Sequence, residues 1–133
     1  MRGVALAAAL GGSLAAVSAQ VNTDTVPLSC GGSAAEGYSH LGDGVTDTTM
    51  ESETINTSGD CYYAYLFASA YNVLTGQYDS VNRGWTNGYQ SPDWFESGGA
   101  LSHNEISGDH NVCLTTLGTG CNPAGFVDTN ATN

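Results

Sequence analysis

Lysine is absent from this chain of 133 residues, and its basic residues are two arginines, Arg2 and Arg83. Thirteen aspartate and glutamate residues give a formal net charge of -11 at pH 7. Such a chain repels phosphate backbones and anionic lipid head groups, so electrostatics does not favour binding to either. We therefore expect a soluble acidic protein with no nucleic-acid partner and no membrane partner.

The chain also lacks an apolar run long enough to span a bilayer. Its N-terminal apolar stretch from Val4 to Val17 follows Arg2 and ends in the small residues Val17-Ser18-Ala19. This pattern is typical of a secretory signal peptide. A buried N-terminal helix is the alternative, but its small residues would pack a poor core. We expect residues 1–19 to be removed and residues 20–133 to form one secreted, extracellular domain.

No two cysteines have CxxC spacing. The four cysteines are Cys30, Cys61, Cys113 and Cys121. In a secreted chain of this size, four cysteines indicate two disulfide bonds rather than a zinc site. Three pairings are possible and the sequence does not select one. A bridge between Cys61 and Cys113, for example, would contribute about 3–4 kcal/mol in the chain-entropy model.

The longest apolar run of the mature chain extends from Asp60 to Leu74. Its larger apolar side chains recur at the spacing of one helix face. Its alanines favour helix over strand, and Ser58 or Asp60 can cap the N terminus. We predict an amphipathic helix over about residues 61–74, which buries Leu66 and Phe67. A strand is the alternative, because both alternate faces of the run are apolar.

Short elements and loops are predicted for the rest of the chain. Glycine-dense residues 30–49 predict loops with at most one short strand, and residues from about 122 to 133 predict a loose tail. Further predicted elements are a strand at 51–57, a helix at 77–82, an Asn87-Gly88 hairpin turn pairing Thr86 with Tyr89, and a helix start at Ser91-Pro92. The predicted fold is α+β: a small, loop-rich, disulfide-stabilised domain with one amphipathic helix against a short antiparallel sheet.

Two segments resemble parts of a fungal LysM domain. That family has a strand ending in Ser-Gly-Asp-Thr-Cys and a helix carrying Ile-Ala-x-x-Tyr. Here Ser58-Gly59-Asp60-Cys61, without the threonine, and Phe67-Ala68-Ser69-Ala70-Tyr71 occupy those places, and Tyr78 to Asn82 continue the spacing. The resemblance covers residues 53–82 and implies binding of N-acetylglucosamine polymers such as chitin. It nominates Gly59, Asp60 and Asn82 as binding residues.

A second set of residues is similar in order to the secreted guanyl-type fungal ribonucleases. It comprises Gly37-Tyr38, Asp43-Gly44, Tyr62-Tyr63, Arg83, Ser102-His103, Ser107-Gly108 and Cys113. Ribonuclease chemistry needs a base, an acid and a cation around a phosphodiester. The glutamate expected two residues after Tyr62 is Ala64, and the usual Tyr-Pro-His segment is absent. The resemblance implies a secreted effector or surface protein on a ribonuclease-like scaffold without catalysis.

Three aromatic residues lie close together in a turn-rich segment: Trp85, Tyr89 and Trp94. Flat apolar rings with polar edges are the surfaces on which pyranose rings stack. Core packing is the alternative, because tryptophan is highly buried on average. The leading expectation is a non-catalytic protein that binds an extracellular or cell-wall glycan, with chitin-like ligands first. It depends on the helix forming and on rings beside it staying accessible.

The densest group of titratable residues lies between His103 and His110. Its spacing matches neither HExxH nor a helical i,i+4 pair, so a solvated loop is expected. A small secreted hydrolase that uses His103, Glu105 and Asp109, or Asp93, is the alternative function.

No metal site and no cofactor are predicted. Four acidic residues could give weak calcium binding, although they lack EF-hand spacing: Asp43, Asp47, Glu51 and Glu53. Asn56 and Asn130 stand in sequons and are candidate N-glycosylation sites in a eukaryotic host.

Overall fold

Residues 22–116 and 119–133 are described in a computed structural model. They form nine β-strands and one 3₁₀ turn. The strands are β1 (Thr23–Cys30), β2 (Ser33–Leu41), β3 (Met50–Ile55), β4 (Tyr63–Asn72), β5 (Gln77–Thr86), β6 (Asp93–Glu96), β7 (His103–Thr116), β8 (Thr119–Cys121) and β9 (Val127–Thr132); the 3₁₀ turn is Gly99–Leu101. No α-helix occurs within these two described ranges.

The strands build two antiparallel sheets. The first sheet has the order β1-β2-β3-β6, and the second has the order β9-β7-β4-β5, with β8 pairing with the end of β7. Small and aliphatic residues on the inner faces of both sheets pack together. The described residues therefore form a β-sandwich, and the predicted α+β fold is wrong.

The predicted helix over residues 61–74 is instead the strand β4. Ala64, Leu66, Ala68 and Ala70 are buried in strict alternation, and the residues between them point outward. The strand has small apolar residues on one face and aromatic residues on the other. Because both faces are apolar, residues three and four apart are also apolar, which is the spacing of one helix face. β4 lies between β7 and β5 and hydrogen-bonds to both, so sheet pairing overrides the helix propensity of its alanines.

The structure also corrects other local predictions, and most of these segments are strands. The helix predicted at 77–82 lies in β5, the helix start at Ser91-Pro92 precedes β6, and the glycine-dense residues 30–49 contain all of β2. Thr86 and Tyr89 do not pair in a hairpin, and the Tyr89 backbone N–H donates to the carbonyl of Tyr62 at 3.3 Å. The tail expected to be loose includes β9. Hydrogen-bond partners far away in the sequence decide the conformation of these segments. The strand predicted near Ile55 is present as β3.

Two disulfide bonds are present, as the cysteine count predicts. Cys30 at the end of β1 is joined to Cys61 before β4, and Cys113 of β7 is joined to Cys121 of β8. The illustrative pairing of Cys61 with Cys113 is not found. The first bridge joins the first sheet to the segment that leads into β4, and the second lies within the second sheet.

The predicted signal peptide, residues 1–19, lies outside the described residues. Within the described ranges, no helix has both the length and the apolar character needed to cross a membrane.

A buried polar layer divides the interior of the sandwich. On β7, Ile106 belongs to one apolar cluster and Val112 to another, and His110 lies between them with no exposed surface. Polar residues of the other inner strands interrupt the core in the same way: Ser39, Ser52, Thr54 and Thr129. Since buried polar groups need hydrogen-bond partners, these residues bond to one another across the two sheets.

Hydrogen bonds of this layer centre on His110. The Thr54 hydroxyl donates to the carbonyl of Tyr65 at 2.6 Å, so it accepts from His110 Nδ1 at 2.8 Å. His110 Nε2 lies 2.8 Å from the hydroxyl of Thr129, which contacts Ser39 at 2.6 Å. The layer therefore ties β3 and β2 of the first sheet to β7 and β9 of the second.

Candidate functional site

The outward-facing residues of the second sheet form the candidate site, which we call the aromatic face. The pairing of β9, β7, β4 and β5 arranges these residues in four rows across the sheet. The rows are Thr132-Glu105-Tyr71-Tyr78, Asn130-Ser107-Ser69-Ser80, Asp128-Asp109-Phe67-Asn82 and Asn111-Tyr65-Trp85. Directly paired residues have neighbouring side chains on one face, so each row is a line of adjacent groups.

A shallow depression lies over the row of serines. Small side chains there stand between rows of larger ones, and the resulting volume is about 210 Å³. Its lining residues are Phe67, Ser69, Ser107, Gly108, Asp109 and Asp128. Phe67 is 36% exposed, so an apolar side chain and hydrogen-bonding groups meet at the same place.

Asp109 and Asp128 form a carboxyl pair at one wall of the depression. They face each other across β7 and β9, and their side chains hydrogen-bond. The pKa of Asp109 is raised by burial, then by the charge of Asp128 and by this hydrogen bond. Both carboxyl groups line the depression, so the pair offers acceptor oxygens to a ligand.

Aromatic clusters stand at the two ends of the aromatic face. Tyr65, Trp85 and Phe126 have ring centroids separated by 4.9–6.0 Å, so they touch and leave no gap for a ligand between them. At the other end, the rings of Tyr71 and Tyr78 are 5.2 Å apart. The six-residue span from Tyr65 to Tyr71 corresponds to about 20 Å of strand, which suits an extended ligand.

Polar side chains along the face are held in place by mutual bonds. Asn130 Nδ2 donates to Glu105 Oε2 at 2.9 Å and to Ser107 Oγ at 3.3 Å. The arginine of the described chain, Arg83, instead donates from Nε to the carbonyl of Asp93 at 2.8 Å, which joins β5 to β6. The polar groups of the face are thus acidic or neutral.

Two of the six predicted binding residues, Asn82 and Trp85, lie on the aromatic face. Gly59 and Asp60 lie in the loop before β4, where Asp60 accepts a hydrogen bond from the Ser33 hydroxyl at 3.2 Å. Tyr89 lies in the loop before β6 and packs its ring on Tyr62 at 5.0 Å.

The third predicted aromatic contact, Trp94, lies in the core. It is 6% exposed, and its indole N–H donates to Glu96 Oε2 at 3.1 Å. Its ring is therefore not offered to solvent, which corresponds to the core alternative considered from the sequence. The structure gathers Asn82 and Trp85 on one surface and leaves the other four predicted residues elsewhere.

Several residues of the aromatic face were not singled out as glycan contacts from the sequence. They are Tyr65, Phe67, Tyr71, Tyr78, Asp109, Phe126 and Asp128. Phe67 was expected to be buried with Leu66, but neighbouring residues of a strand point to opposite faces, so Leu66 is buried and Phe67 is not. Alternation of aromatic residues with Ala64, Leu66 and Ala68 was the signal available in the sequence.

The residues of the predicted hydrolase do not converge. His103 is buried, with Nε2 2.8 Å from Asp79 Oδ2 and Nδ1 2.9 Å from the carbonyl of Gly99. Glu105 and Asp109 are four residues apart on β7, a separation of about 13 Å. Asp93 belongs to β6 of the first sheet.

The Asp109–Asp128 pair does not have the spacing of a glycosidase either. Its carboxyl groups are in hydrogen-bond contact. Retaining glycosidases hold the two catalytic carboxyl groups about 5–5.5 Å apart, and inverting ones hold them further apart. The pair is suited to binding a hydroxyl or an amine.

Two of the acids considered for calcium are engaged by protein donors. Asp43 Oδ1 accepts the backbone N–H groups of Val45, Thr46 and Asp47, which lower the pKa of Asp43. Asp47 accepts from Thr49 and contacts His40, and its pKa is lowered to about 2. Among the described residues, no group of three or more His, Cys, Asp or Glu side chains has the arrangement of a metal site.

The two sequons occupy different environments. Asn56 is buried, and its side-chain amide donates to the carbonyl of Cys61 at 2.8 Å and accepts from the Cys61 N–H at 3.1 Å. Asn130 is exposed on β9, in the serine row of the aromatic face. A glycan at Asn130 would stand on that face and replace the bonds from Nδ2 to Glu105 and Ser107, and at Asn56 it would replace a buried hydrogen bond.

Neither a protein-family model, nor a curated protein, nor a solved structure matches this chain. The fold and the site define a disulfide-bonded β-sandwich with one aromatic outer face. Its function has to be inferred from the chemistry of that face.

Proposed function

We propose that the protein is a secreted, non-catalytic binding protein for an extracellular glycan, with chitin-like polymers as the first candidates. The helix on which the sequence-based expectation depended is the strand β4, so the proposal rests on the aromatic face instead, above all on the serine-lined depression beside the partly exposed Phe67. Two disulfide bonds are compatible with an oxidising, extracellular environment.

Sugar rings have an apolar face and a rim of hydroxyl groups, and the aromatic face matches both. Phe67 offers a partly exposed ring, and Trp85 offers a half-buried one in the next row. Asp109, Asp128, Ser69 and Ser107 supply hydrogen-bonding groups that line the depression. Flat stacking surfaces with a few placed polar groups are the usual means of small-molecule and glycan recognition.

The face is rigid and extended, which favours a polymer over a compact ligand. Its residues stand on β4, β5, β7 and β9, and these strands are joined by backbone pairing. Aromatic rings at both ends of the face can contact successive sugar units while the serine row accommodates the chain between them. A preformed surface of this kind loses little conformational entropy on binding.

Retention of the protein on insoluble chitin, cellulose and β-glucan tests the proposal. We expect retention on at least one polymer, chitin first. Phe67→Ala and Trp85→Ala should each weaken retention about tenfold, as truncation of a stacking anchor does. Phe95→Ala is the matched control, because Phe95 is similarly exposed but lies on the outer face of the first sheet. Absence of retention on all three polymers, or unchanged retention of both face variants, contradicts the proposal.

Contact with another protein is the second candidate function. β4 is a central strand rather than a helix, which favours a surface-protein or effector role over glycan recognition of the LysM type. The aromatic face would serve as the contact surface, since aromatic residues are enriched in protein interfaces. Glycan retention that is lost in Phe67→Ala and kept in Phe95→Ala supports the first candidate instead.

A further inference from the structure

The aromatic face carries negative charge in its polar positions. Glu105, Asp109 and Asp128 lie on two neighbouring strands, β7 and β9, at the edge of the depression. Arg83 is turned to the carbonyl of Asp93 at the sandwich edge. Within the described residues, the face therefore has acidic groups without a basic partner.

We propose that the aromatic face selects an amine-bearing glycan, a polymer of glucosamine with free 2-amino groups, over its N-acetylated and its anionic counterparts. The proposal rests on the proposed glycan-binding function and narrows its chitin-like ligands to the de-acetylated form, with chitin itself as the weaker ligand. Charge complementarity is the argument: a protonated amine fits a surface that combines carboxylates with an exposed aromatic ring.

Phe67 lies beside the carboxyl pair. Phe67 is paired with Asp109 across β4 and β7, and Asp109 is paired with Asp128 across β7 and β9. An ammonium group bound in this row therefore has an aromatic ring and two carboxyl groups as neighbours. Cation–π attraction and charge-assisted hydrogen bonds both strengthen where water is partly excluded.

An N-acetylated or anionic ligand lacks these interactions. An acetamide group is neutral, so it would displace water from the carboxyl pair without supplying a positive charge to compensate for the lost solvation. A carboxylated or sulfated polysaccharide would bring a like charge to Glu105, Asp109 and Asp128. The face thus discriminates by unfavourable contacts as well as by favourable ones.

The experiment compares short soluble oligomers of glucosamine and of N-acetylglucosamine by calorimetry at about pH 5.5, where ordinary carboxyl groups are ionised. We expect the glucosamine oligomer to bind at least about tenfold more tightly, a difference of about 1.4 kcal/mol. Equal affinity, or tighter binding of the acetylated oligomer, overturns the inference.

The whole protein is acidic, so a matched pair of variants must separate the face from the overall charge. D109N/D128N and E36Q/D93N each replace two acidic residues by their amides, but Glu36 and Asp93 lie on the outer face of the first sheet. We expect the first variant to lose about tenfold in affinity for the glucosamine oligomer and the second to lose less than about twofold. Equal losses would assign the binding to net charge and overturn the inference.

Thermal unfolding shows whether D109N/D128N is folded. If it is not, a third variant tests the inference. Phe67→Leu keeps an apolar side chain but removes the ring, so it should reduce the preference for the amine while leaving the fold intact. An unchanged preference overturns the inference. If neither oligomer binds the wild-type protein, the inference is overturned, and retention on the three insoluble polymers decides the proposed function. If the acetylated oligomer alone binds, the function stands and the ligand class does not.

Discussion

The outer faces of the two sheets have the same alternating geometry and very different surfaces. On the first sheet, pairing brings Tyr38, Glu53 and Asp93 into one row and His40, Glu51 and Phe95 into the next. On the second sheet, the corresponding positions hold aromatic rings, a row of serines and one carboxyl pair. Backbone pairing alone therefore does not make a binding face; the side chains on the outward positions do.

The two outer faces also differ in what surrounds their acidic groups. The pKa of Glu53 is raised to about 7 by burial, then by the charges of Glu51 and Asp93. The pKa of Asp109 on the aromatic face is also raised by burial and a neighbouring acid, but this acid borders a depression and an exposed ring. Mutual repulsion is common to both faces, and the place for a ligand is specific to the aromatic face.

The largest expected effect comes from breaking the buried layer that holds the two faces together. A Cβ at position 108 would lie 2.5 Å from His110 Nε2 and would also collide with Ser52 Oγ. We expect Gly108→Ala to lower the free energy of unfolding by about 3 kcal/mol, measured by urea unfolding. Gly98→Ala is the control, since the nearest atom to its Cβ, Leu101 Cδ1, is 3.9 Å away. Similar losses in both variants would disprove the role of the close approach.

The next effect concerns pH and the same layer. Burial lowers the pKa of His110 to about 4, against the opposing influence of Asp24, from a usual value of 6.5. Between these values the unfolded chain binds more protons, so the contribution of His110 to stability is complete above pH 6.5 and is lost as the pH falls towards 4. The loss should reach about 3 kcal/mol relative to a His110→Gln variant, measured by urea unfolding across this range. A constant difference between wild type and variant would contradict it.

The smallest expected effect comes from Glu53, on the outer face of the first sheet. The raised pKa of Glu53 means that the folded protein holds this proton more tightly than the unfolded chain, so stability falls as the pH rises from 4.5 to about 7. Glu53→Gln should therefore be more stable than wild type at pH 7 by about 1 kcal/mol or less, since water screens a half-buried charge. The advantage should vanish at about pH 4, and a persistent advantage there would refute the electrostatic cause.

Sequence patterns predicted some features of this molecule because those features depend on local chemistry. The strand near Ile55 follows from a short alternating segment. Asn82 and Trp85, two of the six residues predicted to contact a glycan, lie on one outer face of the second sheet. Phe67 and Trp94 show the limit: burial of an aromatic ring depends on which sheet face it occupies, and residues far away in the chain set that face.

The sequence by itself determined the acidic charge, which disfavours phosphate-bearing partners, and the presence of four cysteines for two disulfides. Only the tertiary structure decided that Cys30 pairs with Cys61, that residues 63–72 are extended, and that Asp109 meets Asp128. The physical reason is that a run with apolar residues on both alternate faces satisfies a helix and a strand equally well. Hydrogen bonding of β4 to β7, some forty residues later in the chain, selects the strand.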